Sequence, residues 1–148
     1  MMKIDPAVFQ LSVNSPTSIL RMIADGGCDF PSNLFADASV KQTFSIQRAR
    51  LFYFSDPTTS DEAIAQMSAK SFRPATLQEL LSFAISFPEE QRRSFIVALG
   101  TDIASDVGGN TLVAALHGNS ASRKLGAIRR NELWFGEQFR LLGINSLT

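Results

Sequence analysis

The pattern of apolar and polar positions along this chain changes its period near Ser94. Before that point, apart from one alternating stretch at 47–54, apolar residues recur every three or four positions, as in a helix that buries one side. After it, short apolar runs alternate with turn residues, as in a series of strands. The predicted helices lie at about 15–26, 59–70 and 77–87, and the predicted strands at about 47–54, 95–99, 111–116, 124–129 and 138–144.

Two helix starts carry a local signal that does not depend on periodicity. Thr59 is followed three residues later by Glu62, and Thr76 is followed in the same way by Glu79. At this spacing the threonine hydroxyl accepts a hydrogen bond from the glutamate amide, and the glutamate carboxylate accepts one from the threonine amide. Pro74 disfavours helical conformation at the residue before it, so the second of these helices is predicted to begin after the proline.

The order of the elements predicts the fold class. Helices followed by short strands are typical of an α+β domain, and 148 residues with 45% apolar content suffice for one buried core. We therefore expect a single α+β domain over residues 1–148, with N-terminal helices packed on a C-terminal antiparallel meander. Residues 1–45 are predicted to be a helical or loop segment, with a loop at 28–44, and residues 46–148 the α+β core.

Composition narrows the class of protein. Lys and Arg total 14 and Asp and Glu total 14, so no overall electrostatic field favours nucleic acid or an anionic membrane. The single cysteine, Cys28, allows no intrachain disulfide and suits a reducing compartment. The start of the chain lacks the pattern of a secretory signal, and no apolar run reaches membrane-spanning length. We expect a cytoplasmic protein without membrane contact.

Signals for catalysis are weak. His117 is the only histidine, so it cannot form a two-histidine metal site, and it is predicted to be a solvated residue at a turn. Gly108 and Gly109 lack the lysine and the flanking elements of a phosphate-binding loop and indicate a hairpin tip. The charged run at 89–93 is typical of a solvated turn. We expect no catalytic residues, no metal and no cofactor, and so no enzyme, although an enzyme with Glu or Arg residues in a cleft stays an alternative.

The end of the chain carries the best candidate site. Its last 28 residues hold five cations and two glutamates, a local excess of three positive charges beside Trp134 and Phe135. Guanidinium groups near aromatic rings suit an anionic or planar ligand. The candidate ligand-binding residues are Arg129, Arg130, Asn131, Glu132, Trp134 and Glu137. In the alternative interpretation, Trp134 belongs to the core and the two adjacent arginines protect an exposed strand edge.

These features lead to two functional hypotheses. The first is a non-enzymatic recognition domain whose late loops bind a protein or an anionic ligand. The second is a structural or assembly protein, such as a component of a mobile element or phage, that self-associates through faces rich in phenylalanine, of which the chain has 12. The position of Trp134 discriminates within the first hypothesis, because a buried indole cannot contact a ligand.

Several motifs together resemble a family of small bacterial proteins. They are DEAI at 61–64, FRPATLQELL at 72–81, FIVALG at 95–100, Trp134 and FRLL at 139–142. That family's pattern is RPATxxELL, IVALG, Trp and RFL, and the chain has its first three parts unchanged and FRLL in place of RFL. The resemblance implies no activity. More distantly, the capped helix, the meander and the late Trp are similar to the C-type-lectin-like fold. This likeness implies a ligand face on the loops between Gly100 and Gly136, and since the calcium-binding triplets of lectins do not occur, it implies no metal.

Overall fold

The computed structural model describes residues 1–14 and 44–145. Within them the chain forms eight strands, two α-helices and one 3₁₀ turn. The strands are β1 (Met2–Ile4), β2 (Phe9–Asn14), β3 (Phe44–Phe54), β4 (Phe72–Pro74), β5 (Phe95–Ser105), β6 (Thr111–Gly118), β7 (Arg123–Arg129) and β8 (Phe139–Asn145). The helices are α1 (Ser60–Ala69) and α2 (Leu77–Ser86), and the 3₁₀ turn spans Glu90–Arg92.

All eight strands belong to one mixed sheet, with the spatial order β1, β3, β8, β5, β6, β7. β2 pairs with the part of β3 that β1 leaves open, and β4 pairs with the end of β8. Neighbouring strands are antiparallel, except that β8 runs parallel to β5. The last strand of the described chain therefore lies between β3 and β5, in the middle of the sheet.

The two faces of the sheet carry separate apolar cores. On one face, α2 contributes Leu80 and Phe83 to a cluster that includes Leu142 of β8. On the other face, α1 contributes Met67 to a cluster that includes Leu141. Adjacent residues of β8 thus enter opposite cores, as the alternation of side chains along a strand requires. A sheet covered on both faces explains why its central strands read as nearly continuous apolar runs.

Both predicted helix starts are confirmed. The Glu79 amide donates to the Thr76 hydroxyl at 3.3 Å, and the Thr76 amide donates to the Glu79 carboxylate at 2.9 Å, which is the full reciprocal arrangement. Arg73 adds two bonds to the buried carboxylate of Glu79, at 2.8 and 2.7 Å. Burial alone would raise the pKa of Glu79, but the bonds from Arg73 and from the Thr76 amide outweigh it and hold that pKa below its usual range.

The capping of α1 differs in one bond. The Glu62 amide donates to the Thr59 hydroxyl at 3.1 Å, as predicted. The Glu62 carboxylate, however, accepts from that hydroxyl at 2.9 Å.

The predicted fold class is wrong. The described residues are mostly β-sheet, with eight strands and two α-helices, and they do not form N-terminal helices packed on a C-terminal antiparallel meander. The helices follow β3 in the chain, and the parallel β5–β8 pair breaks the meander. The C-type-lectin-like architecture was part of this prediction and is abandoned with it.

The outcome for the individual elements is mixed. Residues 2–4 and 9–14 form strands of the sheet, so the prediction of a helical or loop segment is wrong there. The predicted helix at 15–26 lies outside the described residues, as does the predicted loop up to residue 43. The strands predicted at 47–54, 95–99, 111–116, 124–129 and 138–144 are confirmed as parts of β3, β5, β6, β7 and β8.

Candidate functional site

The segment between β7 and β8 is held by its tryptophan. The Thr58 amide donates to the Trp134 carbonyl at 3.0 Å, and the Trp134 amide donates to the Thr58 carbonyl at 2.8 Å. These two bonds form a single antiparallel bridge to the residues before α1. The indole Nε1–H donates to the Ser60 hydroxyl at 2.9 Å, and that hydroxyl donates to the Arg130 carbonyl. The segment is therefore fixed to the start of α1 through both backbone and side chain.

The prediction that Trp134 contacts a ligand is wrong. Its relative exposure is 0%, and its ring packs edge-on against Phe139 with a centroid distance of 5.9 Å. The side chain belongs to the core on the α1 side of the sheet. The physical reason is the bridge to Thr58, which gives residue 134 an extended conformation with its side chain toward the sheet. The alternative interpretation of a core tryptophan is the correct one.

The two adjacent arginines are paired with aspartates from other segments. Arg129 Nε lies 2.9 Å from Asp106 Oδ2. Arg130 Nη2 lies 3.1 Å from Asp61 Oδ1, and its Nε lies 4.0 Å from Asp102 Oδ1. The local positive excess counted along the sequence disappears because the fold brings these three carboxylates to the two guanidiniums. A basic site for anions at Arg129 and Arg130 is therefore not formed.

The remaining predicted site residues separate into two places. Asn131 and Glu132 are exposed, and the Asn131 side-chain amide donates to the Asn110 side-chain oxygen at 3.2 Å. Glu137 is exposed too, but it lines a polar cavity together with Arg140. Asn131 and Glu132 thus share a surface with the arginine–aspartate pairs, whereas Glu137 belongs to a different environment.

The predicted ligand-binding residues do not include the two side chains that dominate this surface, although both lie in the stretch from Asn131 to Glu137 that the sequence favours as a binding loop. Leu133 and Phe135 flank Trp134 and are 54% and 50% exposed. In an extended stretch the neighbours of an inward side chain point outward, so a buried Trp134 places both of them toward solvent. The signal was present in the sequence, because an apolar triplet after a charged turn would have to expose either its middle or its outer members. We call residues 131–135 the 131–135 loop.

The single histidine of the chain is packed within the sheet. His117 lies within β6, not at a solvated turn, and its ring stacks on Phe95 with a centroid distance of 5.0 Å. Burial, with a smaller effect from Lys124, lowers the pKa of His117.

Among residues 1–14 and 44–145, no group of His, Cys, Asp and Glu has the arrangement of a metal site. Within the same ranges, none of the helices has the length and apolar character needed to cross a membrane.

No protein-family model, curated protein or solved structure matches the chain. The resemblance to the small bacterial family stays a prediction from the sequence motifs. The function of the chain is therefore inferred from the chemistry of its own surface.

Proposed function

We propose that the chain is a non-enzymatic recognition domain that binds a partner protein through the 131–135 loop. The observation that carries this proposal is the exposure of Leu133 and Phe135 on either side of a fully buried Trp134. Large apolar side chains held at a surface are typical anchors of protein interfaces, where aromatic residues are enriched. Half of each side chain is still exposed, so full burial by a partner would contribute about 1 kcal/mol each.

The loop is suited to binding because it is already ordered. The two backbone bonds to Thr58 and the indole bond to Ser60 hold Trp134 in place. Leu133 and Phe135 are covalent neighbours of this fixed residue, so binding would order little additional backbone. A surface that is rigid before association loses less conformational entropy and binds more tightly for the same contacts.

The charges around the loop indicate the chemistry of the partner. Two guanidiniums, Arg129 and Arg130, face the carboxylates of Asp61, Asp102 and Asp106, and Glu132 adds a fourth exposed acid. The surroundings of Leu133 and Phe135 are therefore net acidic. A partner that offers an apolar pocket bordered by Lys or Arg would complement them, whereas an anionic ligand would be repelled.

Self-association through phenylalanine-rich faces has less support in the described residues. Phe9, Phe52, Phe54 and Phe83 are buried, and Phe135 is the one phenylalanine among the large apolar side chains that are exposed there. The acidic surroundings of Phe135 would also repel a second copy of the same surface. A homo-oligomer is therefore the less supported alternative.

A peptide-display selection on the folded full-length chain tests the proposal. We expect the selected peptides to combine an apolar anchor with Lys or Arg. The double variant Leu133→Ser/Phe135→Ser should bind them about 30-fold more weakly, which corresponds to about 2 kcal/mol. Val107→Ser is the matched control, since Val107 is a fully exposed apolar residue at the β5–β6 turn.

Three results would contradict the proposal. Peptides that bind the wild type and the double variant equally would show that another surface is used. Acidic peptides would contradict the charge argument. A concentration-dependent dimer in sedimentation that the double variant abolishes would assign the loop to self-association instead.

A further inference from the structure

A polar cavity of about 210 Å³ lies on the α2 side of the sheet, since Tyr53 and Arg140 share strand faces with Leu51 and Leu142 of the core on that side. The residues that line it are Asp5, Tyr53, Arg93, Ser94, Glu137 and Arg140. They come from four separate stretches of the chain, and the sheet brings two of these stretches together. Extending the β3–β8 register by one pair beyond Phe52 and Leu141 places Tyr53 opposite Arg140.

Arg140 forms the floor of this cavity. Its side chain is only 4% exposed, and its Nε donates to the Ser94 hydroxyl. Nη1 donates to Asp5 Oδ2 at 3.1 Å, and Nη2 donates to the carbonyl and the carboxylate of Glu90 at 3.2 and 3.3 Å. A guanidinium has five N–H donors, and these contacts use four of them. One Nη1–H of a deeply buried cation is left without a partner among the described residues.

Other donors line the same cavity. The half-buried Tyr53 hydroxyl has no hydrogen-bond partner in the described part of the chain. The Ser94 hydroxyl accepts from Arg140, so its own proton is available for donation. Among the described residues, Arg93 has one ion pair, in which its Nη1 lies 3.6 Å from Glu90 Oε2, and its side chain is 66% exposed. One part of the cavity wall is thus a set of donors and positive charges that suits a carboxylate or a similar anion.

Glu137 adds a negatively charged carboxylate to the cavity wall. Its carboxylate has no ion pair or hydrogen bond with any residue in 1–14 or 44–145. Asp5 is the second acid of the wall, but its two oxygens accept from the Ala7 amide and from Arg140. Glu137 is therefore the carboxylate that remains open to a ligand. A simple anion would meet repulsion from both acids, whereas a ligand with its own ammonium group would pair with Glu137.

We infer that this cavity binds a small zwitterion, a molecule that carries one carboxylate and one ammonium group. The carboxylate contacts the free donors of Arg140, Tyr53 and Ser94, and the ammonium group contacts Glu137. The volume of about 210 Å³ is smaller than that of cavities for drug-sized ligands, so the ligand is of the size of an amino acid. This site is independent of the 131–135 loop and of the partner proposed for it.

Titration of the ¹⁵N-labelled full-length chain tests this inference. The probes are glycine, β-alanine and γ-aminobutyrate, which carry the same two charges at increasing separation. Acetate and methylammonium serve as the two isolated halves. We expect at least one zwitterion to shift the amide signals of Tyr53, Ser94 and Glu137. Its Kd should be at most a few millimolar and about tenfold lower than the Kd of acetate or of methylammonium.

Two variants separate the roles of the charges. Glu137→Gln should reduce zwitterion affinity about tenfold and should not weaken acetate binding, because it removes the partner of the ammonium group and one of the two acids that repel an anion. Glu132→Gln is the matched control, an exposed glutamate outside the cavity, and should change neither affinity. Tyr53→Phe should weaken both the zwitterion and acetate. Since Glu137 is exposed and Tyr53 is half-buried, these variants are expected to retain the native spectrum.

The inference is overturned if no zwitterion shifts these signals up to about 50 mM, a concentration at which even millimolar binding saturates. It is equally overturned if acetate binds as tightly as the best zwitterion and Glu137→Gln has no effect. In that case the cavity binds anions alone.

Discussion

Replacement of Trp134 by phenylalanine measures how firmly the 131–135 loop is attached to the fold. The indole fills a fully buried position and donates one hydrogen bond, to the Ser60 hydroxyl at 2.9 Å. The smaller ring leaves a void, which we take to cost about 1.5 kcal/mol as a part of the 3–5 kcal/mol typical of complete truncation. Loss of the hydrogen bond in a buried site adds about 1 kcal/mol. The expected decrease in the free energy of unfolding is about 2–3 kcal/mol.

Ser60→Ala provides the second corner of a double-mutant cycle. Ser60 accepts from the indole and donates to the Arg130 carbonyl, so alanine leaves two polar groups without a partner. We expect a loss of about 2 kcal/mol. Since both single variants remove the indole–hydroxyl bond, the double variant should lose about 1 kcal/mol less than the sum.

Urea denaturation followed by circular dichroism at 222 nm measures all four proteins. Trp134 is the single tryptophan of the chain, so its fluorescence in the wild type and in Ser60→Ala reports this site alone. The emission should have the short wavelength of a buried indole and shift to longer wavelength on unfolding. A loss of less than about 0.5 kcal/mol in Trp134→Phe, the size expected at an exposed position, would refute the burial of this residue. Additive effects of the two substitutions would refute the hydrogen bond.

Two further predictions concern stability. Because bonds from Arg73 and Thr76 hold the pKa of Glu79 low, its stabilising effect is fully present above the ordinary carboxyl pKa of about 4.3 and is lost as the pH falls through the lower folded-state value. Glu79→Gln should therefore lower the free energy of unfolding by about 2 kcal/mol at pH 7. The difference in this free energy from wild type, measured by urea denaturation, should narrow toward about pH 3, and a difference that does not change with pH would contradict this. Gly143→Ala should cost about 1–3 kcal/mol in the same assay, because its Cβ would lie 2.5 Å from a ring carbon of Phe52, and an unchanged midpoint would show that the ring can move.

Local signals in the sequence predicted local structure well. Thr76 and Glu79 form their reciprocal bonds because both residues lie within one helical turn, where no distant contact can change their spacing. The apolar run at 95–99 forms the first half of β5 for a similar reason, since Ile96 to Leu99 are buried in one core of the sheet or the other and the half-buried Phe95 packs against one of them. Such elements need only their own residues to be recognised.

Pairing between distant segments could not be read in the same way. β1 and β2 are short, and their strand character comes from pairing with β3, some 30 to 50 residues later in the chain. The parallel contact of β8 with β5 likewise depends on where the intervening strands turn. Without these pairings, the order of elements suggested a meander behind helices, which is the wrong fold class.

The candidate site shows the same limit. A count along the sequence found a positive excess near Arg129 and Arg130, because it could not include Asp61, Asp102 and Asp106. The inward orientation of Trp134 depends on its bridge to Thr58, about 75 residues earlier. Glu137 is likewise predicted to lie with the ligand-binding residues of the loop, but the fold places it in a separate cavity beside Arg140.

The central position of β8 has a consequence for how the protein is made. Ribosomes release a chain from its amino end, so β1 to β7 emerge while the slot between β3 and β5 is still empty. Until residues 139–145 are added, the edges of β3 and β5 that pair with β8 have no partner. Such edges invite pairing with other chains. Closure of the sheet should therefore wait for residues 139–145, and a chain truncated before β8 should be prone to aggregation.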